Sequence, residues 1–273
     1  MGSIEGKVIV ITGASSGIGR ALGLQALEQG AKLAVCARNL DKLKETFGDS
    51  NEVLCFQADV SQEADCKSFI SSVEGRWGQI DVLINNAGIS MRALFEDVDL
   101  GVIRELMDIN FWGTVYCTKY ALPAIKKSGG VIVGISSIAG YRGLPGRTGY
   151  SASKFAVQGF LEALKTELLQ TGVHVMWVSP GFTSSNIRNV ARSADGSTQR
   201  ETPLSEDKLM SAETCASIIL SSIEKRKRTV VMTGQGKLTV WLSRWLPGVL
   251  DSLVYKHFLN EPGSPLKKYS PTK

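Results

Sequence analysis

Residues Thr12–Gly19 read Thr-Gly-Ala-Ser-Ser-Gly-Ile-Gly and directly follow a short apolar run, Lys7–Thr12. A glycine-rich turn between a strand and a helix lets the backbone come close to a pyrophosphate. The helix that follows offers its N-terminal amides and partial positive charge to the phosphates. The glycine spacing (Gly13, Gly17, Gly19) differs from the commoner G-x-G-x-x-G pattern. Its place between a strand and a helix nevertheless predicts a dinucleotide-binding turn.

The rest of the chain alternates short apolar runs with longer segments of helical length. Nearly continuous apolar strands are typical of a parallel sheet that helices cover on both faces. The predicted strands are Lys7–Thr12, Lys32–Ala37, Val53–Asp59, Val82–Asn85, Val131–Ser136, His174–Ser179 and Thr229–Thr233. The predicted helices are Gly17–Gln29, Gln62–Trp77, Asp99–Lys127, Tyr150–Thr171 and Ser211–Arg226. This pattern predicts an α/β fold of the Rossmann type, a doubly wound, seven-stranded parallel sheet.

Composition and charge argue against several classes of protein. The net charge of +5 over 273 residues is too small and scattered to indicate a nucleic-acid surface. Five cysteines without metal-like spacing and two isolated histidines predict reduced thiols, a cytoplasmic setting and no metal site. We expect neither a signal peptide nor a membrane-spanning helix, because the apolar runs are too short.

A second informative stretch, Tyr150–Lys154, reads Tyr-Ser-Ala-Ser-Lys. Residues four apart share a helix face, so the phenol and the ammonium would lie one turn apart. The ordinary tyrosine pKa of ~10 is high for chemistry at neutral pH, and a nearby ammonium would lower that pKa. Ser136-Ser137 ends the preceding strand, and Asn110 lies within the long helix before it, where a buried amide needs partners. The pair alone is also compatible with an ordinary amphipathic helix.

The end of the second predicted strand bears on the choice between NAD and NADP. An acidic residue there would accept the ribose 2′-hydroxyl of NAD, whereas an arginine suits the 2′-phosphate of NADP. The sequence has Ala37-Arg38-Asn39 at this point and no carboxylate before Asp41. A guanidinium pairs with phosphate and stacks on adenine, so we predict NADP(H).

The predicted contacts to the nucleotide come from the glycine-rich turn and from the ends of the next three strands. The strand-end residues are equally typical of turns. The set is Gly13, Ser15, Ser16, Gly17, Ile18, Gly19, Arg38, Asp59, Val60, Asn86, Ala87 and Gly88.

Together these motifs resemble the short-chain dehydrogenase/reductase family, in its compact single-domain branch. The resemblance covers about residues 7–233 and rests on Thr12–Gly19, Asn85–Gly88, Asn110, Ser136–Gly140, Tyr150–Lys154 and Pro180-Gly181. It implies an oxidoreductase that transfers a hydride reversibly between a nicotinamide and a carbonyl carbon. With NADP(H), the implied activity is that of a carbonyl reductase.

The resemblance also implies catalytic roles for four residues. Tyr150 would be the general acid/base, and Ser137 would hydrogen-bond the substrate oxygen. Lys154 would hold the nicotinamide ribose and lower the pKa of Tyr150. Asn110 would bind a water in a proton relay that runs through Lys154.

Further residues would complete the nicotinamide and substrate pockets. By the same resemblance, Pro180-Gly181 would shape the nicotinamide pocket and Thr183 would contact the carboxamide. The predicted substrate contacts are Ser137, Ile138, Leu144, Tyr150 and Phe182, with Ser90 and Met91 as further candidates for the pocket.

Two segments interrupt the alternation within the single dinucleotide-binding and catalytic domain that we expect over residues 1–273. The polar segment of about 182–210 follows a strand end and is predicted to be a substrate lid, with an ordinary surface loop as the alternative. The apolar C-terminal extension, about 237–273, contains Trp241, Trp245 and cations, and Pro247-Gly248 divides it into two amphipathic pieces. It suits peripheral contact with a membrane, and equally packing on its own or a partner subunit.

The substrate class and the assembly follow only from the resemblance. Ala37-Arg38, Phe95–Asp97 and the apolar tail are similar to membrane-associated members such as 11β-hydroxysteroid dehydrogenase-like enzymes and 3-ketosphinganine reductase. This implies an apolar ketone such as a steroid, retinoid or long-chain keto-lipid. It also implies a homodimer or homotetramer, for which Trp112, Tyr116 and Phe160 are candidate contacts.

Two other functions remain open at the level of sequence. A sugar-nucleotide epimerase or dehydratase shares Tyr-x-x-x-Lys but usually carries a larger C-terminal substrate domain than this chain offers. A non-catalytic module that senses NADP(H) would keep the fold without turnover.

Overall fold

The computed structural model describes residues 3–181, 183, 187, 190–199 and 209–269. Within them, seven parallel strands form one sheet in the order β3-β2-β1-β4-β5-β6-β7. The strands are β1 (Val8–Thr12), β2 (Lys32–Ala37), β3 (Val53–Gln57), β4 (Val82–Asn85), β5 (Val131–Ile135), β6 (His174–Ser179) and β7 (Thr229–Val231). The predicted Rossmann-type sheet is thereby confirmed.

Helices cover both faces of this sheet. They are α1 (Gly17–Glu28), α2 (Leu40–Phe47), α3 (Glu63–Trp77), α4 (Leu100–Leu106), α5 (Gly113–Ser128), α6 (Thr148–Glu167), α7 (Ala212–Glu224), α8 (Gly234–Trp245) and α9 (Pro247–Leu259). Alternate residues of β1 enter different cores: Val8 and Val10 pack on the side of α3–α6, and Ile9 and Ile11 on the side of α1, α2 and α7. This double burial explains why the strands are nearly continuous apolar runs.

The predicted helix Asp99–Lys127 is divided in the structure. Asp99 begins it by accepting a hydrogen bond from the Gly101 amide at 2.6 Å, and α4 then passes into a π-helical segment, Met107–Trp112, before α5 continues. Such a segment widens one turn and often occurs at functional sites. It contains Asn110, which is 1% exposed.

Helix α2 was not among the predicted elements. It is eight residues long and buries only Leu43 and Phe47, so its amphipathic pattern is short. Its start depends on Asn39, whose side chain accepts a hydrogen bond from the Lys42 amide at 2.9 Å. The third strand also ends earlier than predicted, at Gln57, because the Asp59 amide donates to the Asp65 carboxylate at 2.9 Å instead of pairing in the sheet.

The C-terminal extension forms two helices, α8 and α9. Pro247, which divides the two predicted amphipathic pieces, is the first residue of α9. Residues of α9 and of the segment after it form a small separate core together with Leu94, which lies between β4 and α4; the members are Leu94, Leu250, Val254, Phe258 and Leu266. Among the described residues, no helix combines the length and apolarity needed to cross a bilayer.

Leu161→Ala is expected to lower the free energy of unfolding by roughly 2–5 kcal/mol, because Leu161 is 0% exposed and its removal leaves a cavity against β5. Leu169→Ala is the control, because Leu169 is 67% exposed, and its effect should stay within about 0.5 kcal/mol. Urea denaturation followed by circular dichroism measures both. Equal losses would contradict the assignment of Leu161 to the core.

Candidate active site

A crevice of about 570 Å³ opens at the carboxyl ends of the strands. It lies at the end of β1, which has β2 on one side and β4 on the other, so the strand order reverses there. This is the usual ligand position in doubly wound sheets. The predicted cofactor residues that line it are Gly13, Ser15, Ser16, Gly17, Ile18, Arg38, Asp59, Val60, Asn86, Ala87, Gly88, Tyr150, Lys154, Pro180, Gly181 and Thr183. Gly19 does not line the crevice; it packs beneath the turn, against Asn86.

The glycine-rich turn requires glycine for two different reasons. Gly13 and Gly17 have φ values of +68° and +54°, a region that other residues rarely adopt. A Cβ on Gly13 would also lie 2.7 Å from the Ala87 Cα. Ser16, at the start of α1, makes no side-chain capping bond, and the first turn of α1 has no acid. The positive end of α1 is therefore suited to an anionic group.

Asn86 holds the turn in place from the neighbouring strand. Its side-chain amide donates to the carbonyl oxygens of Thr12 at 2.9 Å and Gly13 at 3.1 Å. The Thr12 hydroxyl accepts hydrogen bonds from the amides of Asn86 and Ala87, each at 3.0 Å. The structure thus gives Asn86 a bracing role in addition to the predicted contact with the nucleotide.

The end of β2 presents two cations to the crevice. Arg38 and Lys42 both line it and are both exposed. The sequence reasoning identified Arg38 and missed Lys42, which the short helix α2 turns toward the same side. The Asp59 carboxylate, by contrast, accepts from the Ser61 amide at 3.0 Å and the Ser61 hydroxyl at 2.8 Å.

Tyr150 and Ser137 face each other across the crevice. Burial raises the pKa of the Tyr150 phenol, and a hydrogen bond with the Ser137 hydroxyl and the charge of Arg147 partly offset that rise. The adjacent Ser136 points elsewhere, since its hydroxyl accepts from the Gln158 side chain at 2.8 Å. Ser137 is therefore the serine that meets the phenol.

Lys154 lies one turn further along α6 and is 4% exposed. Its ammonium group donates to the Ile135 carbonyl oxygen at 2.9 Å and lies 5.8 Å from the centre of the Tyr150 ring. Burial lowers the pKa of Lys154 to about 8. We expected the Lys154 ammonium to bring the pKa of Tyr150 below its ordinary value. The pKa is raised instead, because the cost of burying a phenolate outweighs the Ser137 hydrogen bond and the charge of Arg147.

Asn110 connects the π-helical segment to α6. Its side-chain oxygen accepts from the Ile89 amide at 2.8 Å, and its amide donates to the Ile89 carbonyl at 3.0 Å and the Ser153 hydroxyl at 2.9 Å. A Cβ on Gly88 would lie 3.0 Å from the Asn110 oxygen and 3.4 Å from the Lys154 nitrogen. Asn110 and Lys154 therefore meet beside Gly88, and the proton relay between them stays a prediction.

The predicted substrate residues divide into three groups. Ser137, Leu144 and Tyr150 line the crevice, as does Ser90. Ile138 and Met91 do not: Ile138 packs toward Gly236 on α8, and Met91 is 0% exposed in the core. Both follow a strand end, and sequence alone does not show which way a side chain turns there. Phe182 lies outside the described residues.

Sequence reasoning missed Arg147 and its partner Glu261. Arg147 lines the crevice three residues before Tyr150, and it donates to both carboxylate oxygens of Glu261 at 3.2 and 3.1 Å. The Glu261 side chain is 3% exposed, and the Arg147 guanidinium lies 4.6 Å from the centre of the Phe258 ring. These contacts join residues more than a hundred positions apart, so no local pattern reveals them.

The sheet, the glycine-rich turn and the crevice that holds Tyr150 and Lys154 define a dinucleotide-binding oxidoreductase of the Rossmann type. The family model described as short chain dehydrogenase matches residues 7–196. The chain belongs to the short-chain dehydrogenase/reductase family.

Individual relatives agree with this membership. The protein described as 11-beta-hydroxysteroid dehydrogenase A from Sesamum indicum is 34% identical, with 97% of this chain and 79% of the relative covered. The 11-beta-hydroxysteroid dehydrogenase-like 6 of Arabidopsis thaliana is 37% identical, with 89% and 78% covered. A short chain dehydrogenase from Burkholderia cenocepacia J2315, solved in complex with NADP, superposes with a TM-score of 0.78 at 26% identity, covering 92% of this chain and 98% of that one.

Arg147→Gln is expected to raise the pKa of the Tyr150 phenol, because the positive charge of Arg147 favours the phenolate. Titration of phenolate absorbance measures the pKa, each protein being compared with the same protein carrying Tyr150→Phe. Arg147→Lys keeps the charge and should keep the pKa closer to that of the parent chain.

Arg142→Gln is the matched control for this titration, because Arg142 lies on the same loop but pairs with Asp251 on α9. It should leave the pKa of Tyr150 unchanged. An unchanged pKa in Arg147→Gln, or an equal rise in Arg142→Gln, would refute the electrostatic role of Arg147.

Proposed function

We propose that this protein is an NADP(H)-dependent carbonyl reductase that interconverts an apolar ketone and its secondary alcohol. The observation that carries the proposal is the meeting of Tyr150, Ser137 and Lys154 in the crevice that the glycine-rich turn opens onto. A phenol, a hydroxyl and a buried ammonium are the groups that proton transfer to a carbonyl oxygen requires.

In the proposed reaction, Tyr150 gives its proton to the substrate oxygen. Burial raises the pKa of the phenol, so Tyr150 stays protonated at neutral pH, which is the state required to reduce a ketone. The Ser137 hydroxyl holds the same oxygen and keeps it aligned with the phenol. When bound, NADPH would supply the hydride to the carbonyl carbon.

Lys154 has two tasks in this proposal. Its ammonium stabilises the phenolate that remains after proton transfer, because an opposite charge nearby favours the ionised form. Burial lowers the pKa of Lys154 to about 8, so it also loses and regains a proton readily near neutral pH. This property suits a group that returns the proton to Tyr150.

The residues present fit an NADP(H) cofactor. The uncapped N-terminus of α1 suits the pyrophosphate, and the close approach at Gly13 leaves the backbone accessible to it. Arg38 and Lys42 place two cations at the end of β2, where the 2′-phosphate of NADP would lie.

The walls of the crevice support an apolar substrate. Leu144, Ile187 and Val190 line the side beyond Tyr150. Two arginines that line the crevice are paired with acids. Arg147 pairs with Glu261, and the Arg192 Nε donates to the Glu105 carboxylate at 2.8 Å. The two relatives named as 11-beta-hydroxysteroid dehydrogenases point to the same substrate class.

The predicted lid and assembly belong to the same proposal. Thr183, Ile187 and Val190, within the segment 182–210, line the crevice, as a substrate lid requires. We propose self-association through the outer face of α5 and the π-helical segment. Trp112 is 40% exposed there and stacks on Tyr116 at 5.5 Å between ring centres.

Tyr150→Phe is expected to lower ketone reduction by roughly 10²–10⁴-fold, because it removes the proton donor and leaves the ring in place. NADPH consumption is measured against a panel from small aldehydes to steroids, retinal and long-chain 3-keto lipids. NADPH binding, followed by fluorescence, should be retained and serves as the control. Near-parental turnover by the variant would refute the catalytic role of Tyr150.

Arg38→Asp is expected to reduce the preference for NADPH over NADH by roughly ten- to hundredfold, because it replaces a phosphate partner with a repelling charge. The ratio of kcat/KM for the two cofactors measures the effect. Lys44→Asp changes a cation on α2 that does not line the crevice, and it should leave the ratio unchanged. If the parent chain, Arg38→Asp and Lys44→Asp all had the same ratio of kcat/KM for NADPH over NADH, the basis for choosing NADP would be lost.

A further inference from the structure

Helices α8 and α9 expose a set of large apolar side chains on the outer surface. We name this set the outer apolar face. Its members are about half exposed: Leu238 56%, Trp241 54%, Trp245 65%, Leu246 46%, Val249 54% and Leu253 50%. Large exposed apolar side chains grouped on two consecutive helices mark an interaction site more often than apolar side chains that are scattered singly.

The face is distinct from the side by which α9 packs on the protein. Leu250, Val254 and Phe258 form the buried stripe of α9, at intervals of four residues. Leu246, Val249 and Leu253 form a second stripe beside it, at intervals of three and four, and this stripe is exposed. Helix α9 therefore has more apolar surface than its own core uses.

Helix α8 repeats the arrangement. Leu238, Trp241 and Trp245 are spaced by three and four residues and so lie on one side of the helix. Apart from Gly236, no residue of α8 is fully buried. The helix is thus attached to the molecule without burying its tryptophans.

Cations border the outer apolar face on both helices. On a helical projection, Lys237 and Arg244 lie within roughly 60° of Trp241, and Lys256 lies within roughly 20° of Val249. The sequences of α8 and α9 contain one acid, Asp251, and it pairs with Arg142. The border of the face is therefore positively charged.

We propose that the outer apolar face docks on the surface of an anionic lipid bilayer. Tryptophan and leucine side chains would enter the boundary between headgroups and acyl chains, and the bordering cations would meet the anionic headgroups. Docking of the same face on a second copy is disfavoured, because a two-fold interface would bring like charges together around its rim.

Docking would also bring the crevice near the membrane, and this consequence rests on the proposed function. Leu144 lines the crevice and also packs against the small core that holds the buried stripe of α9. Arg142, two residues earlier, is tied to α9 through Asp251. A protein docked by the outer apolar face would hold this wall of the crevice beside the bilayer, where apolar ketones accumulate.

Vesicle co-sedimentation of the full chain tests the proposal. The probes are vesicles of phosphatidylcholine alone and vesicles of phosphatidylcholine mixed with phosphatidylglycerol. The parent chain should pellet with the anionic vesicles and much less with the neutral ones. Trp241→Ser combined with Trp245→Ser should weaken pelleting about tenfold or more, and so should Lys237→Glu combined with Arg244→Glu.

Leu169→Ser is the matched control, because Leu169 is 67% exposed and lies outside the outer apolar face. It should pellet like the parent chain. Circular dichroism of each variant shows that the loss of binding is not a loss of folding. Equal pelleting by the parent and the double tryptophan variant would overturn the proposal.

Sedimentation velocity without vesicles tests the competing occupant, a second copy of the chain. If the parent chain is an oligomer and the double tryptophan variant is a smaller species, the face belongs to a second copy and lipid docking is overturned. An unchanged oligomeric state in that variant supports it. Reduction of a short, water-soluble ketone without vesicles tests the reductase separately, and the double tryptophan variant should match the parent chain there.

Discussion

The close contact between the first and fourth strands is the constraint on which the rest of the site depends. The turn after β1 passes so near Ala87 that a side chain on Gly13 has no room. Asn86 then binds the carbonyl oxygens of Thr12 and Gly13 and thereby joins the two strand ends into one rigid edge. The start of α1 is held over the crevice by this edge. The shape of this edge depends on backbone geometry more than on any one charged side chain.

In the part of the crevice that holds Tyr150 and Lys154, burial determines the direction in which each pKa is shifted. Lys154 is almost fully enclosed and donates to a backbone carbonyl, and burial lowers its pKa. Its ammonium lies 5.8 Å from the centre of the Tyr150 ring. Tyr150 is shifted in the opposite direction, since burial disfavours the phenolate. Because the pKa of Tyr150 is raised and that of Lys154 is lowered, the phenol holds its proton more strongly than the ammonium does. The π-helical segment contributes by turning Asn110 toward the same place.

The C-terminal extension connects this interior chemistry to the outer surface. Glu261 holds Arg147 just before α6 begins, and the small core around Leu250 fixes α9 against the loop that carries Leu144. A segment outside the matched family region thus contacts two residues that line the crevice, Arg147 and Leu144. The same segment exposes tryptophans to the outside. One stretch of chain therefore packs against a wall of the crevice and also exposes tryptophans on the outer surface.

The sequence by itself determined the sheet, its order of elements and the residues of the glycine-rich turn and the Tyr150–Lys154 pair. These signals are local, because strand hydrophobicity, glycine spacing and helical periodicity each act over a few neighbouring residues. Helix α2 escaped prediction because two buried residues make too short a pattern. Only the tertiary structure decided that Ile138 turns toward α8, that Lys42 joins Arg38, that Arg147 meets Glu261 and that burial raises the pKa of Tyr150. The position of Lys42 follows from the unpredicted helix α2. The other three depend on contacts between distant segments, and the free energy of such contacts is set by burial and neighbours that no local pattern contains.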